Sequence, residues 1–333
     1  MNRNKIYKEQ DVLENLLNDK VVGIIGYGNQ GRAQALNLKD SGIKTIVGLR
    51  EGSKSKGQGK NDGFSNILSI EKLVDKSDLI CFMIPDEEIP ELFLRIVKKR
   101  LRPKQTLVFS HGYCVHFKKI DIPNFVNVIM VAPSGAGKIV RQKYLNNSGT
   151  PNLLAVHQDY TKTAFQIALS YSKGIGGTRV GSFVSTFEEE TVTDIFGEQA
   201  ILTGGIPALM RNSFDVLVES GYSPIVAWFV CYYEVKSIID LFHKDGFEFL
   251  NESISNLAEY GGLTRGDFLI DRQMKLKMKT MLKEIKSGKF ESEWDNEKNN
   301  GSLLLKDKRA KIKDSKIEKM NKKMLKILFK KID

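Results

Sequence analysis

Val21-Val22-Gly23-Ile24-Ile25-Gly26-Tyr27-Gly28-Asn29-Gln30-Gly31 is the stretch that decides the fold of this chain. Its opening is a continuous apolar run, the pattern of a strand buried on both faces. The run ends in Gly26-Tyr27-Gly28-Asn29-Gln30-Gly31, a G-x-G-x-x-G spacing, and a helical pattern follows. Glycines there allow a tight turn and close approach of the backbone to a pyrophosphate. The helix N-terminus then offers free N–H groups and the positive end of its dipole. The spacing alone is weak; a strand before it and a helix after it make it a dinucleotide-binding turn.

Further apolar runs at 44–49, 79–84, 106–110 and 126–131 alternate with helix-length segments. This alternation predicts a parallel sheet with helices on both faces. Beyond about residue 181 strand signals thin out, and segments near 187–216, 222–244, 247–258 and 271–287 have helical length and periodicity. The predicted organisation is an α/β, Rossmann-type domain over 1–181 followed by an all-α domain over 182–333. A chain of 333 residues has room for both.

Composition bounds the function class. Hydrophobic residues at 41% and charged residues at 27% are ordinary for a globular protein. Cys81, Cys114 and Cys231 form neither a disulfide framework nor a zinc pattern. There is no apolar run of bilayer length and no signal-peptide core behind the polar start, so a cytoplasmic protein without membrane association is expected. Of the net charge of +11, residues 306–333 carry +8, with twelve basic and four acidic residues. Basic tails bind nucleic acid in some proteins, but no stacking aromatics are interleaved here. The stripe Ile317, Met320, Met324, Ile327 and Leu328 reads instead as a helix packed on its own protein, with the lysines in solvent.

The second apolar run ends at Arg50, followed by Glu51-Gly52-Ser53-Lys54-Ser55. An NAD-binding domain usually places an acid there, to accept the ribose hydroxyls. Arginine, lysine and two serines suit a ribose 2′-phosphate, which predicts NADPH. Pro85-Asp86-Glu87-Glu88-Ile89 and Ser110-His111-Gly112 leave the carboxyl ends of predicted strands, where ligands bind in this fold. His111 is therefore a better catalytic candidate than His116, His157 or His243.

In the helical half, Glu190, Asp194 and Glu198 are spaced by four and share one helix face. Like charges at that spacing repel unless cations neutralise them. Hard oxygen donors in a row suit Mg²⁺. The plain alternative is an acidic solvated face; the adjacent Ile195, Phe196, Ala200 and Ile201 favour metal.

Taken together, these segments resemble ketol-acid reductoisomerase in its short form with one helical domain. The likeness runs over nearly the whole chain. It includes Val47-Gly48-Leu49-Arg50-Glu51-Gly52-Ser53, Ser110-His111-Gly112, Val131-Ala132-Pro133 and Ala155-Val156-His157-Gln158-Asp159. Its most specific parts are Thr193-Asp194-Ile195-Phe196-Gly197-Glu198-Gln199, Ser253-Ile254-Ser255-Asn256 and Ala258-Glu259-Tyr260-Gly261.

The resemblance implies a Mg²⁺-dependent alkyl shift of a 2-acetolactate-type substrate, then NADPH reduction of the resulting 2-keto acid to a 2,3-dihydroxy-3-methyl acid, in valine and isoleucine biosynthesis. It implies NADP contacts at Tyr27, Gly28, Asn29, Gln30, Arg50, Ser53, Ser55, Asp86, Glu87, Glu88, Ile89 and Gly137. It implies a catalytic His111, metal ligands Asp194, Glu198 and Glu234, and substrate contact at Ser255, with Glu190 as an additional acid. It further implies two Mg²⁺ sites, a knotted helical domain, and a homodimer or higher even oligomer whose site is completed across the interface.

The chain departs from the family pattern at three points. Val230 stands where a glutamate four residues before Glu234 belongs, and valine cannot ligate Mg²⁺, so the second metal is weakened. Ser134 replaces a lysine and Ala136 a proline in the loop that follows Pro133, while Lys138 adds a cation nearby. Leu257 replaces a threonine beside the serine motif. These departures keep two alternatives in play: a paralogue that only reduces 2-keto acids, and a catalytically impaired NADPH-binding homologue.

Overall fold

The computed structural model describes residues 2–329. The chain forms two compact units, Met1–Thr191 and Val192–Asp333. The first is built on nine strands: β1 (Ile6–Tyr7), β2 (Val22–Ile25), β3 (Thr45–Gly48), β4 (Ile67–Leu68), β5 (Leu79–Phe82), β6 (Thr106–Phe109), β7 (Asn127–Pro133), β8 (Asn152–Gln158) and β9 (Ser182–Val184). They lie in the order β1-β9-β8-β7-β6-β5-β2-β3-β4.

From β4 across to β7 every pairing is parallel. Each residue of β2, β5 and β6 is buried, as their continuous apolar character requires. Sheet and helices share one core, to which Leu17, Ile24, Val47, Leu79, Val108, Ile129 and Tyr171 contribute. The far side of the sheet is mixed: β8 runs antiparallel to β7, and β1 antiparallel to β9. The five apolar runs all became strands. β8, which spans Asn152–Gln158 with the apolar run Leu153-Leu154-Ala155-Val156, is not among the predicted strands.

The second unit is helical among its described residues, with breaks that the periodicity does not reveal. The segment 187–216 divides into the Phe187–Gly197 helix, a π-helical turn at Glu198–Leu202 and the Gly205–Glu219 helix. The segment 222–244 becomes the Pro224–Trp228 helix, a second π-helical turn at Phe229–Tyr233 and the Val235–Glu252 helix. No separate helix covers 247–258. The Val235–Glu252 helix runs into that segment across a kink at Asp245 and Gly246, and a new helix starts at Asn256. Its N-cap is Ser255, whose hydroxyl accepts from the Ala258 N–H at 3.3 Å. The last segment forms the Arg272–Lys286 helix, capped by Asp271.

The basic tail is helical over Leu303–Asp314 and Lys316–Phe329. Ile317 and Met324 are buried with Phe214, Ala227 and Trp228, and Met320 packs against them. Asn321 accepts from the Trp228 indole N–H at 3.3 Å. The apolar stripe is shorter than the sequence suggests, since Ile327 and Leu328 are exposed. Lys330, Lys331 and Asp333 lie outside the described residues. No described helix is long and apolar enough to cross a membrane.

Candidate active site

The glycine turn is shaped as its sequence demands. Gly26 sits at φ +96, and a Cβ there would lie 2.5 Å from the Met83 carbonyl oxygen. The Asn29–Asp40 helix opens directly after Gly28, so its free N–H groups face the turn. A second helix closes on the same turn. Gly137 begins the Gly137–Leu145 helix, and a Cβ there would fall 2.0 Å from the Asn29 carbonyl oxygen. The Gln30 carboxamide donates to the Gly135 carbonyl at 2.8 Å.

Behind the turn lies a buried polar network. Tyr171 donates its hydroxyl to Gln34 Oε1 at 2.8 Å. Gln34 Nε2 donates to Gln30 Oε1 at 3.1 Å and to Ser110 Oγ at 2.9 Å. Gln34 and Tyr171 are fully buried, and burial raises the Tyr171 phenol well above its ordinary value. The network thus ties the turn to the end of β6. Gln30 and Ser110 are marked by the sequence; Gln34 and Tyr171 are not, because their contacts join distant parts of the chain.

The carboxyl ends of β2, β5 and β6 border a cleft of about 370 Å³. It is lined by Gly28, Asn29 and Gln30 from the turn, by Pro85, Asp86 and Ile89 from the β5 loop, and by Ser110 and His111 from the β6 loop. Residues from three predicted ligand-binding segments (Gly28, Asn29 and Gln30; Pro85, Asp86 and Ile89; Ser110 and His111) therefore meet in one place. Asp86 Oδ2 lies 2.7 Å from His111 Nδ1. A second cleft, of about 700 Å³, lies on the other side of the turn and is lined by Tyr27, Asn29, Arg32, Gly137, Lys138 and Arg141.

Tyr27 is held away from solvent. Its hydroxyl donates to Asp62 at 2.9 Å, and Arg32 grips the same carboxylate with two bonds of 2.7 and 2.9 Å. That guanidinium, with help from Tyr27 and Gln58, draws the Asp62 carboxyl down to about 2. Burial and the Asp62 bond push the Tyr27 phenol up, so the side chain anchors the turn and stays neutral.

The residues expected to receive a 2′-phosphate follow the end of β3. Arg50 is exposed, and Ser53 and Ser55 are half-buried. Glu88 reaches Arg50 at 3.9 Å, both side chains being open to solvent, so this pair contributes little. Glu87 lies in the same short turn as Glu88.

His111 is followed by Gly112, whose N–H donates to Glu190 Oε2 at 2.7 Å. A Cβ on Gly112 would meet Thr191 Oγ1 at 2.5 Å and the Phe187 carbonyl at 2.6 Å. Glu190 is buried, whereas Asp194 and Glu198 are exposed. The three carboxylates spaced by four do not share one environment: Glu190 serves the backbone of the β6 loop. His116 and His157 stand elsewhere, along a separate cavity with Glu188, and burial lowers both imidazoles.

In the second unit Glu198 opens the first π-helical turn and Glu234 directly follows the second. Glu234 is exposed, and Val230, inside the second turn, is 47% exposed. Turns of this kind recur at functional sites. Carboxylate oxygens are the donors Mg²⁺ prefers, and it commonly uses only one or two of them beside waters. Asp194 and Glu198 fit that requirement chemically. Among the described residues no three His, Cys, Asp or Glu side chains come together as a metal-holding group. Ser255 is exposed at its helix cap.

Comparison with known proteins also gives two parts, which meet between residues 181 and 187. Residues 16–181 match the family model described as acetohydroxy acid isomeroreductase, NADPH-binding domain. Residues 187–329 match ketol-acid reductoisomerase, C-terminal domain. The chain is 43% identical to the ketol-acid reductoisomerase (NADP(+)) of Methanopyrus kandleri, over 97% of this chain and 98% of that protein. It is 44% identical to the protein of the same name from Methanocaldococcus jannaschii, again over 97% and 98%. A solved structure of an NADH-preferring ketol-acid reductoisomerase from an uncultured archean superposes with a TM-score of 0.94 at 40% identity, covering 97% of this chain and 99% of that one.

Proposed function

The chain belongs to the ketol-acid reductoisomerase family, and on that footing we propose that it isomerises a 2-acetolactate-type substrate and reduces the product with NADPH to a 2,3-dihydroxy-3-methyl acid. The reaction would serve valine and isoleucine biosynthesis. The observation that carries this reading is the cleft in which the glycine turn, the Asp86 loop and His111 converge. We assign nucleotide binding to residues 1–181 and metal and substrate binding to 182–333.

In this reading the turn from Tyr27 to Gln30 and the start of the Gly137 helix cradle the pyrophosphate. Arg50, Ser53 and Ser55 take the 2′-phosphate, and residues Asp86 to Ile89 border the rest of the nucleotide. His111 is the proton-exchanging side chain, and Ser255 contacts substrate. Asp194, Glu198 and Glu234 would hold Mg²⁺, which when bound supplies Lewis-acid polarisation of substrate oxygens. Glu190 acts by fixing Gly112, next to His111. A homodimer or higher even oligomer and a cytoplasmic location complete the proposal.

One observation favours a second reading. Val230, where the family resemblance implies a metal-ligating glutamate, presents an exposed apolar side chain. Ser134 likewise leaves out a cation. A paralogue that reduces 2-keto acids without isomerising them, or one that only binds NADPH, would fit those changes. Purified protein given NADPH and Mg²⁺ separates the readings. NADPH oxidation with both 2-acetolactate and the already isomerised keto acid is the expected result. Oxidation with the keto acid alone would refute isomerase activity and leave the reductase. NADPH binding without turnover of either would leave the non-catalytic homologue.

A further inference from the structure

We propose that Asp86 is a positioning residue for His111, holding its Nδ1–H so that Nε2 is the nitrogen that exchanges protons with substrate. The inference rests on the reading of His111 given above and deepens it.

The pair is formed by two loops that leave neighbouring parallel strands, β5 and β6, at their carboxyl ends. A separation of 2.7 Å between Asp86 Oδ2 and His111 Nδ1 is a short hydrogen bond of the charge-assisted kind. An ionised carboxylate can only accept, so the proton resides on Nδ1 and the neutral ring's acceptor is Nε2. Three-quarters of the His111 side chain and about as much of Asp86 are withdrawn from solvent. Water screens such a pair less than the open Arg50–Glu88 contact, so its geometry persists.

Both partners are themselves held. The Asp86 carbonyl oxygen accepts from the buried Cys114 thiol at 3.3 Å, and Glu88 N–H closes the turn on the Pro85 carbonyl at 2.9 Å. The His111 ring stacks against Tyr113, with centroids 6.0 Å apart and planes 24° from parallel. On the other side of His111, Gly112 is clamped by Glu190. The ring is thus fixed by side chain and backbone together, and both Asp86 and His111 line the cleft bordered by the glycine turn.

The chemistry follows from the tautomer. When Nε2 takes a proton from a substrate hydroxyl, the O–H bond breaks with its electron pair left on oxygen and an N–H bond forms. The ring becomes an imidazolium whose charge lies against the Asp86 carboxylate. With asparagine at position 86 the shape remains but that charge match is lost, and the ring can adopt the other tautomer.

The test uses the full chain with D86N, D86E, H111A and the double variant D86N/H111A. D86N is expected to lower kcat by about ten- to a hundredfold, well beyond any rise in its NADPH Kd. D86E is expected to recover part of the loss. In the H111A background D86N should add nothing to the loss in kcat, because Asp86 acts on the chemical step through the ring. ¹⁵N NMR of the NADPH complex should show His111 as the Nδ1–H tautomer in wild type and shifted toward Nε2–H in D86N. A D86N effect of equal size with and without His111, or one confined to NADPH Kd, overturns the proposal. So does an Nε2–H tautomer in wild type, which can be read whether or not D86N folds. Wild-type turnover by H111A would instead refute the reading of His111 as catalytic and overturn the proposal with it. A dead H111A beside an unimpaired D86N overturns the Asp86 role alone.

Discussion

Glu190 accepts the Gly112 N–H at 2.7 Å, and the two residues are buried at the point where the β6 loop meets the first turn of the Phe187–Gly197 helix. Leaving the buried Gly112 N–H without its acceptor costs about 1–3 kcal/mol. E190A is expected to lower unfolding free energy by that order, measured by urea denaturation, with a smaller loss for E190Q, which keeps an acceptor oxygen. Gly112→Ala should be worse than E190Q, since its Cβ meets backbone as well as side chain. Equal stability of E190A and wild type would remove the clamp from consideration.

Tyr171→Phe takes away one buried donor and leaves Gln34 Oε1 without it. The expected cost is about 1–3 kcal/mol, read from chemical denaturation. The variant should also weaken NADPH binding severalfold, because Gln34 orients both Gln30 and Ser110 at the cleft. Fluorescence titration of NADPH checks the second effect; an unchanged Kd would show that the network serves stability alone.

What the sequence discloses is local, and what it conceals is relational. The strand, turn and helix from Val21 onward could be read because each signal lies within a few residues of the next. Arg50 stands out as a candidate because it is one residue type at one strand end. The Asp86–His111 pair could not be read, since it depends on two strands being neighbours in a given register. The Tyr171–Gln34 bond joins residues 137 positions apart. The helical half was legible as helix but not as individual helices. A periodic pattern passes smoothly through π-helical turns and through the Gly246 kink, whereas Ser255 resets it with a cap. Spacing by four placed Glu190 with Asp194 and Glu198, but burial separated them.

Acid should expose the Asp62 cluster. The folded carboxyl titrates at about 2, below its ordinary 3.8, chiefly because of Arg32. A depressed carboxyl stabilises the fold above its unfolded value and loses that contribution as pH falls through the folded one. The stabilisation, about 2 kcal/mol at neutral pH, should therefore be intact above about pH 5 and shrink progressively toward pH 2. Asp62→Asn should remove this part of the acid sensitivity, measured as the difference in urea midpoint between pH 7 and pH 3. An identical difference in both proteins would contradict the assignment.

Cofactor choice should respond to Arg50. R50Q removes a charge-assisted contact to the 2′-phosphate, at about 1.5–3 kcal/mol. The ratio of NADH to NADPH dissociation constants should fall by ten- to a hundredfold, with NADH affinity itself little changed. E88Q, which releases Arg50 from its exposed partner, should leave stability within about 1 kcal/mol of wild type. A ratio unmoved in R50Q would place 2′-phosphate recognition elsewhere.

Val230→Glu restores a carboxylate four residues before Glu234. It should tighten Mg²⁺ binding, followed by calorimetry without substrate, and raise turnover of 2-acetolactate more than that of the isomerised keto acid. No gain in either measurement would mean that this position does not limit the metal site.

The approach of Gly137 to Asn29 has a bearing on modularity. The turn is braced from outside by the Gly137–Leu145 helix and from beneath by Tyr171, so the piece that works as a unit extends from Val22 to Ile175. Grafting residues 21–40 onto another scaffold would transplant the glycines and leave their brace behind. For the same reason a chain split anywhere between the Asn29 helix and the Gly137 helix must reassemble across the cut before it can recover the shape that receives a nucleotide.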